Sequence, residues 1–201
     1  MTVVRHPLRF AAATVMLVLA GAGAYLLGTR LAPGPELVGT ALQNPPVVGD
    51  ALLVDPQGRE VTLRQVTDGA RVTLVFFGFT RCPDVCPITM ARLAKVYRDI
   101  GEPDDVRVIM ITVDPEHDTP EIMGRYAAAF HPAFVGLSGS NTQVAVAARS
   151  FFVGYADIGF GQFTHTEVVA VVDRDGRLRY VYGSDKVPRL DVDLERLRRV
   201  L

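Results

Sequence analysis

The two cysteines of this 201-residue chain, Cys82 and Cys86, are its only ones, and three residues separate them. They lie in the turn Cys-Pro-Asp-Val-Cys-Pro, between an apolar run that ends at Phe79 and a helical pattern. A disulfide between them would close a loop of only a few residues, which adds little stability in the chain-entropy model. The pair is therefore predicted to do redox or metal chemistry.

Pro87 places the second cysteine at the start of a helix, because proline is tolerated only in the first helical turn. The positive end of the helix dipole favours thiolates there. The spacing is one residue longer than in dithiol oxidoreductases, which suits an ion held between two sulfurs but does not exclude a disulfide. Asp84 lies between the sulfurs in sequence. Its charge opposes thiolate formation unless a cation is bound, although Asp84 could equally cap the helix.

Two soft sulfurs need a further ligand to hold a metal, and the chain has four histidines: His6, His117, His131 and His165. His6 lies in the charged N-terminal segment, and His131 is predicted to be an ordinary helix-end residue. His117 follows a strand and is a further candidate at the cysteine edge. His165 precedes a strand that is predicted to run away from that edge, so it is expected to face both sulfurs. Two thiolates and one imidazole suit copper, as Cu(I) or Cu(II), while zinc is an alternative that lacks a fourth protein ligand.

Alternation and turn signals predict the elements that position these residues. A β-hairpin is predicted over residues 51–63, with Gly58 in its turn. Further predictions are strands at 71–79, 106–113 and 134–137, helices at 88–100, 120–130, 141–152 and 191–201, and a hairpin at 168–182. The first two of these strands should be parallel, with a right-handed crossover, and the last hairpin should supply an antiparallel neighbour. The fold class is therefore predicted to be α/β, a thioredoxin-like sandwich with an N-terminal β-hairpin.

The N-terminal segment differs from the rest of the chain. Residues 10–29 carry no charge and are long enough to cross a hydrocarbon core, which takes about 20 residues. Residues 1–30 are therefore predicted to be a transmembrane helix that anchors the protein in the bacterial inner membrane as a single pass. The preceding charges put the soluble domain on the periplasmic side. A cleaved signal peptide is the alternative.

The segment that follows is rich in proline and glycine. Residues 31–47 are predicted to be a tether, and residues 48–201 are predicted to form the folded, thioredoxin-like copper-binding domain. The formal net charge of -1, with basic and acidic residues mixed along the chain, argues against nucleic acid as a partner.

Three motifs together resemble the Sco/SenC family of copper chaperones. They are the turn at 77–87, the sequences Thr-Val-Asp-Pro at 112–115 and Asp-Thr-Pro at 118–120, and His165 ahead of a strand that ends at Asp173. The resemblance spans about residues 48–201. It implies a membrane-anchored protein that delivers copper to, or maintains the thiols of, the CuA site of cytochrome c oxidase subunit II or another copper-receiving protein. Carried over by position, Cys82, Cys86 and His165 would be the copper ligands.

The resemblance also implies that the protein is not a turnover enzyme. His117 stands where the family often has arginine, which makes it a possible extra ligand. Asp84, between the two cysteines in sequence, and His117 are the candidates for side chains that act beside the ligands. The main alternative is a membrane-anchored thiol-disulfide oxidoreductase that uses Cys82 and Cys86 as a redox-active disulfide without metal. A peroxiredoxin-like peroxidase is disfavoured, because one turn supplies both cysteines and its local charge is acidic.

Overall fold

The computed structural model of the protein describes residues 16–23 and 37–201. Residues 16–23 are helical and exposed, and residues 37–201 form a compact unit of their own. Most of the predicted membrane segment at 10–29, and residues 31–36 of the predicted tether, lie outside the described residues. Within the described ranges, no helix combines the length and the apolar character that crossing a membrane requires.

Ten strands and five α-helices build the compact unit. The strands are β1 (Thr40–Ala41), β2 (Leu52–Val54), β3 (Glu60–Thr62), β4 (Val72–Gly78), β5 (Val106–Thr112), β6 (Val135–Leu137), β7 (Tyr155–Gly159), β8 (Gln162–His165), β9 (Val168–Asp173) and β10 (Leu178–Gly183). The α-helices are α1 (Leu63–Val66), α2 (Val85–Asp99), α3 (Pro120–Phe130), α4 (Asn141–Ser150) and α5 (Leu190–Val200), with a 3-10 turn at Val187–Arg189. Six of the strands form one mixed sheet in the order β1-β10-β9-β4-β5-β6, while β2 pairs with β3 and β7 with β8.

The centre of the sheet confirms the predicted topology. Strands β4 and β5 are parallel, and all seven residues of β4 are buried, as expected for a strand covered on both faces. Strand β9 is antiparallel to β4, with Phe76 opposite Val169 and Val72 opposite Asp173. The start of β9 therefore lies at the edge where β4 ends. This is the arrangement of a thioredoxin-like α/β sandwich, and it brings the chain before β9 to the cysteine turn.

The ends of two predicted elements are set by local hydrogen bonds. Helix α3 has the predicted bounds, because the Thr119 hydroxyl accepts a hydrogen bond from the Ile122 N–H at 3.3 Å and Pro120 occupies the first turn. The first hairpin is also present, but its second strand ends at Thr62. There Thr62 and Gln65 form a capping box that starts the short helix α1, which was not predicted.

The compact unit begins before the predicted start near Val48. Strand β1 pairs with β10, and the buried Asp193 carboxylate accepts a hydrogen bond from the Val38 N–H at 2.6 Å. Residues 37–47 of the predicted tether therefore belong to the fold. The hairpin β7–β8 was also not predicted, and it contains His165.

Candidate metal site

Cys82 and Cys86 lie at the carboxyl edge of β4, and both are free thiols. Cys82 is in the loop before α2 and is half-buried, whereas Cys86 is in the first turn of α2 and is 0% exposed. The Cys86 N–H donates a hydrogen bond to the Cys82 sulfur at 3.5 Å. The prediction that Cys86 starts a helix, with Pro87 in the first turn, is confirmed.

His165 lies beside Cys86. The distance between His165 Nε2 and Cys86 Sγ is 3.6 Å, and His165 Nδ1 lies 3.3 Å from the Thr166 carbonyl oxygen. A carbonyl can only accept, so this second contact is a hydrogen bond when Nδ1 carries the proton. In the neutral ring, Nε2 then presents its lone pair to the cysteine, which is the tautomer that can bind a metal.

Aromatic rings fix the orientation of the imidazole. Phe76 and Phe79 meet the His165 ring edge-on, with centroid distances of 5.9 and 6.3 Å. Phe79 also contacts Phe163, which lies two residues before His165 in β8, with a centroid distance of 5.5 Å. The hairpin β7–β8 is thus packed on the end of β4, which is why His165 reaches the cysteine turn.

Gly78 provides the space that Cys86 fills. A Cβ atom at position 78 would lie 2.8 Å from Cys86 Sγ, 2.9 Å from Phe76 Cε1 and 3.0 Å from Met110 Cε. Real Cβ atoms essentially never approach so closely, so a side chain at position 78 would force its neighbours to shift. The last residue of β4 is therefore glycine because the sulfur of Cys86 packs directly on the backbone of the strand.

The surroundings of Cys86 favour the neutral thiol in the metal-free protein. Burial raises the pKa of Cys86 far above its usual range, and the neighbouring charges of Cys82 and Glu167 add to this effect. A backbone interaction with Phe79 acts in the opposite direction but is outweighed. A Cys86 thiolate therefore needs a positive partner, such as a bound cation.

A buried carboxylate, Asp118, ties the cysteine loop to the end of β5. Asp118 is 0% exposed, and its Oδ2 accepts hydrogen bonds from the Thr80 N–H at 2.9 Å and from the Thr112 hydroxyl at 2.7 Å. Its Oδ1 accepts a hydrogen bond from the Thr80 hydroxyl at 2.5 Å. Thr80 is two residues before Cys82, so this network fixes where the loop leaves the strand.

Arg81 makes a second connection from the cysteine loop. Its guanidinium forms an ion pair with the buried Asp114 at 2.6 Å, and it packs so closely on Gly161 that a Cβ there would lie 2.4 Å from Nη1. Gly161 is in the turn of the hairpin β7–β8, with φ of +69°. The cysteine loop, the loop after β5 and the hairpin that carries His165 are therefore held together by one side chain.

The two candidates for accessory roles lie at the margins of this arrangement. His117 is exposed and lines a cleft of about 480 Å³ together with Arg81, Asp114, Tyr155 and Phe163. Asp84 occupies the N-cap position of α2 but is exposed, and its side chain makes no capping hydrogen bond. The capping interpretation of Asp84 is therefore not supported. His131 is the C-cap residue of α3, as predicted, and its ring packs against Tyr97.

The cysteine and histidine donors fit a copper ion chemically. Across residues 16–23 and 37–201, no three His, Cys, Asp or Glu side chains converge as a finished metal-ligand cluster. The 3.6 Å between Cys86 Sγ and His165 Nε2 nevertheless suits a shared ion. Metal bonds of about 2.3 Å to sulfur and about 2.0 Å to nitrogen, at a trigonal angle, place those two atoms about 3.7 Å apart. Cys82 Sγ, which lies 3.5 Å from the Cys86 backbone nitrogen, is the candidate for a third donor.

Several residues that build the site were not singled out from the sequence. Thr112 and Asp118 belong to the motifs Thr-Val-Asp-Pro and Asp-Thr-Pro, but the network they form with Thr80 depends on the approach of the cysteine loop to the loop after β5. Gly78 could have been noticed, because a glycine at the end of a buried strand signals close approach of another group. The hairpin β7–β8 also had a signal, the sequence Gly-Phe-Gly at 159–161, which is typical of a hairpin turn.

Comparisons with known proteins agree with the residue pattern. The family model described as SCO1/SenC matches residues 39–199 of the chain. Among curated sequences, the SCO2-like protein of Rickettsia conorii is 30% identical over 186 residues, which cover 87% of this chain and 90% of the relative.

Solved structures show the same fold. The solution structure of apo Sco1 from Thermus thermophilus is 44% identical, with a TM-score of 0.69, covering 83% of this chain and 98% of the other. The structure of Bradyrhizobium japonicum ScoI with copper bound is 34% identical, with a TM-score of 0.64, covering 78% of this chain and 99% of the other. Copper is therefore bound by a structural relative with substantial sequence identity.

Proposed function

Because the chain belongs to the SCO1/SenC family, we propose that it is a copper-binding assembly protein that holds the metal on Cys82, Cys86 and His165 and transfers it to a partner. The observation that carries the proposal is the approach of His165 Nε2 to within 3.6 Å of Cys86 Sγ, with Cys82 four residues away on the same turn. Thiolates select Cu(I), and the imidazole helps the site to accept Cu(II).

The two sulfurs are suited to different parts of metal transfer. Cys86 is buried against Gly78 and beside His165, so it would hold the ion on the side of the core. Cys82 is half-buried and lies in a loop, so an incoming thiolate of the partner could displace it first. Binding releases the thiol protons, because the ligands must be deprotonated, and transfer to new thiolates exchanges one metal–sulfur bond for another without a change in oxidation state.

The recipient that the family resemblance favours is the CuA site of cytochrome c oxidase subunit II.

We further propose that residues 10–29 anchor the protein in a bacterial inner membrane, with the folded domain in the periplasm. Membrane fractionation and protease accessibility of the intact cells and spheroplasts would test this topology. A domain that is released into the soluble fraction, or protected in spheroplasts, would contradict it.

The ligand set can be tested with His165→Ala and a matched control, His131→Ala. His131 is a helix-end residue whose Nδ1 accepts a hydrogen bond from the Ala133 N–H at 3.2 Å, away from the cysteines. We expect His165→Ala to lose Cu(II) affinity by at least tenfold and to change the thiolate-to-copper absorption, because one of three ligands is missing. The His131→Ala variant should keep the copper affinity and the absorption of the wild type. Unchanged affinity and absorption in His165→Ala would refute the ligand set.

A thiol-disulfide oxidoreductase is the second candidate, and the observation that favours it is the proximity of Cys82 to Cys86 at the start of α2. The Cys86 N–H at the start of α2 donates to the Cys82 sulfur, and such a hydrogen bond stabilises a thiolate nucleophile. This function predicts that the metal-free protein reduces disulfide substrates, and that Cys86→Ser accumulates as a mixed disulfide through Cys82. Absence of both activities, together with stoichiometric copper binding, would leave the copper function alone.

A further inference from the structure

Tyr126, on helix α3, has a buried hydroxyl that lacks a hydrogen-bond partner. Among the side-chain nitrogen and oxygen atoms of residues 16–23 and 37–201, this is the one buried atom found in that condition. An unsatisfied buried hydroxyl carries a desolvation cost, so its presence calls for a specific explanation. The ring itself is well packed, with an edge contact to Phe130 at a centroid distance of 5.2 Å.

Tyr126 lies on the helix that packs against the helix containing Cys86. Helix α3 packs against α2, whose first turn contains Cys86, and helical side chains lean toward the N-terminus of their own helix. The N-terminus of α3 follows Asp118, at the edge where the cysteine loop lies. Burial raises the pKa of Tyr126, and the charges that raise it further are those of Cys86, Cys82 and Asp118, in that order. The phenol is thus within electrostatic reach of both sulfurs.

A phenol beside two thiols has no good acceptor, because thiol sulfur accepts hydrogen bonds weakly. The situation changes when the sulfurs become thiolates, since hydrogen bonds to an ionised acceptor are shorter and roughly twice as strong. We propose that Tyr126 is a positioning residue of the metal site, whose hydroxyl donates a hydrogen bond to a cysteine sulfur once that sulfur is a copper-bound thiolate. This inference rests on the proposed copper function and adds a residue to it.

Such a donor would act on the metal through the sulfur. A hydrogen bond to a ligand thiolate withdraws electron density from the metal–sulfur bond and fixes the orientation of the ligand. Hydrogen-bond partners of this kind commonly contribute a factor of about 10–100 to metal affinity. The Tyr126 hydroxyl is then unpaired in the metal-free protein and forms its hydrogen bond only when the metal binds.

The substitution Tyr126→Phe tests this role, because it removes the hydroxyl and keeps the ring. We expect the metal-free variant to melt at the same temperature as the wild type or higher, since an unsatisfied polar atom is removed. Its Cu(I) affinity, measured by competition with a chelator, should fall about tenfold. The thiolate-to-Cu(II) absorption band should shift to longer wavelength, because the sulfur regains electron density.

Tyr97→Phe is the matched control. Tyr97 lies in the second half of α2 and is also buried. Unlike that of Tyr126, its hydroxyl has a hydrogen-bond partner, the Pro103 carbonyl oxygen at 3.4 Å. This variant should leave the copper affinity and the absorption band unchanged and should melt at or below the wild-type temperature.

The outcomes separate this inference from the function on which it rests. If the wild type binds copper through its thiolates and Tyr126→Phe has the same affinity and the same absorption band, the role of Tyr126 is refuted and the copper function stands. A large fall in the melting temperature of the metal-free variant would also refute it, because the hydroxyl would then have a partner before metal binds. If the wild type binds no copper, the proposed function fails and the role of Tyr126 fails with it.

Discussion

Replacing the buried Asp118 should loosen the cysteine loop and destabilise the domain. Its carboxylate accepts three hydrogen bonds, two from Thr80 and one from Thr112, and it is fully buried. In Asp118→Ala all three donors lose their acceptor. In Asp118→Asn the amide oxygen can keep the two donors at the Oδ2 position, and the Thr80 hydroxyl can rotate to accept from the amide nitrogen. The two substitutions should therefore differ in magnitude.

Hydrogen bonds to charged groups contribute about 1.5–3 kcal/mol each. Three such bonds set an upper bound that rotation of the hydroxyls and entry of water would reduce. We expect Asp118→Ala to lower the free energy of unfolding by roughly 3–5 kcal/mol, as is typical when one partner of a buried polar network is removed. Asp118→Asn should cost about 1–2 kcal/mol, because it loses the charge but keeps the geometry. At about 2–4 °C per kcal/mol for a domain of this size, the alanine variant should melt roughly 6–20 °C lower.

Thermal and urea unfolding of the metal-free domain would measure these differences, with Asp84→Ala as the control. Asp84 is exposed and its side chain makes no capping hydrogen bond, so its removal should change the free energy of unfolding by less than about 0.5 kcal/mol. The reasoning would be refuted if Asp118→Ala unfolded within about 1 kcal/mol of the wild type, or if alanine and asparagine had the same cost.

Two further predictions concern the cysteine pair. The substitution Gly78→Ala should cost about 1–3 kcal/mol of stability and weaken copper binding, because its Cβ would lie 2.8 Å from Cys86 Sγ. Thermal unfolding and copper titration would measure the two effects. A wild-type value for either would contradict the close packing of Cys86 on Gly78. In the metal-free protein at pH 8, iodoacetamide should modify Cys82 at least tenfold faster than Cys86. Cys86 is 0% exposed and its pKa is raised by burial, so its thiolate is scarce until the pH approaches that raised value. Mass spectrometry of the alkylated peptides measures the two rates, and equal rates would overturn this account of the site.

The elements set by local pattern were predictable from the sequence. The buried strands β4 and β5 have continuous apolar runs, Pro87 fixed the start of α2 to within one turn, and Thr119 with Pro120 fixed the start of α3. The edge of the sheet at which His165 lies followed from strand direction, because an antiparallel neighbour of β4 must begin where β4 ends. These inferences depend on sequence spacing and on the handedness of crossovers, and neither needs side-chain detail.

Features that depend on tertiary contact were not predictable in the same way. The hairpin β7–β8 is short and partly exposed, and its turn includes Phe160, a non-glycine residue with φ of +54°, so its propensities were weak. Strand β1 joins the sheet by pairing with β10, and the chain just before it is held by Asp193, in α5, which accepts the N–H of Val38 across 155 positions. The unpaired hydroxyl of Tyr126 and the buried carboxylate of Asp118 are likewise products of packing between separate elements.

The difference between the two sulfurs follows from where the chain passes from strand to helix. Cys86 lies on the helix side, where the first turn of α2 packs on Gly78, so its position is set by the core. Cys82 lies in the loop and is held indirectly, because the two residues before it, Thr80 and Arg81, bind Asp118 and Asp114. A site that must release its cargo needs one ligand that the core fixes and another that can leave without unfolding the domain. In the proposed copper site, the turn with three residues between its cysteines would provide both, and the peripheral hairpin would add His165 as the third ligand.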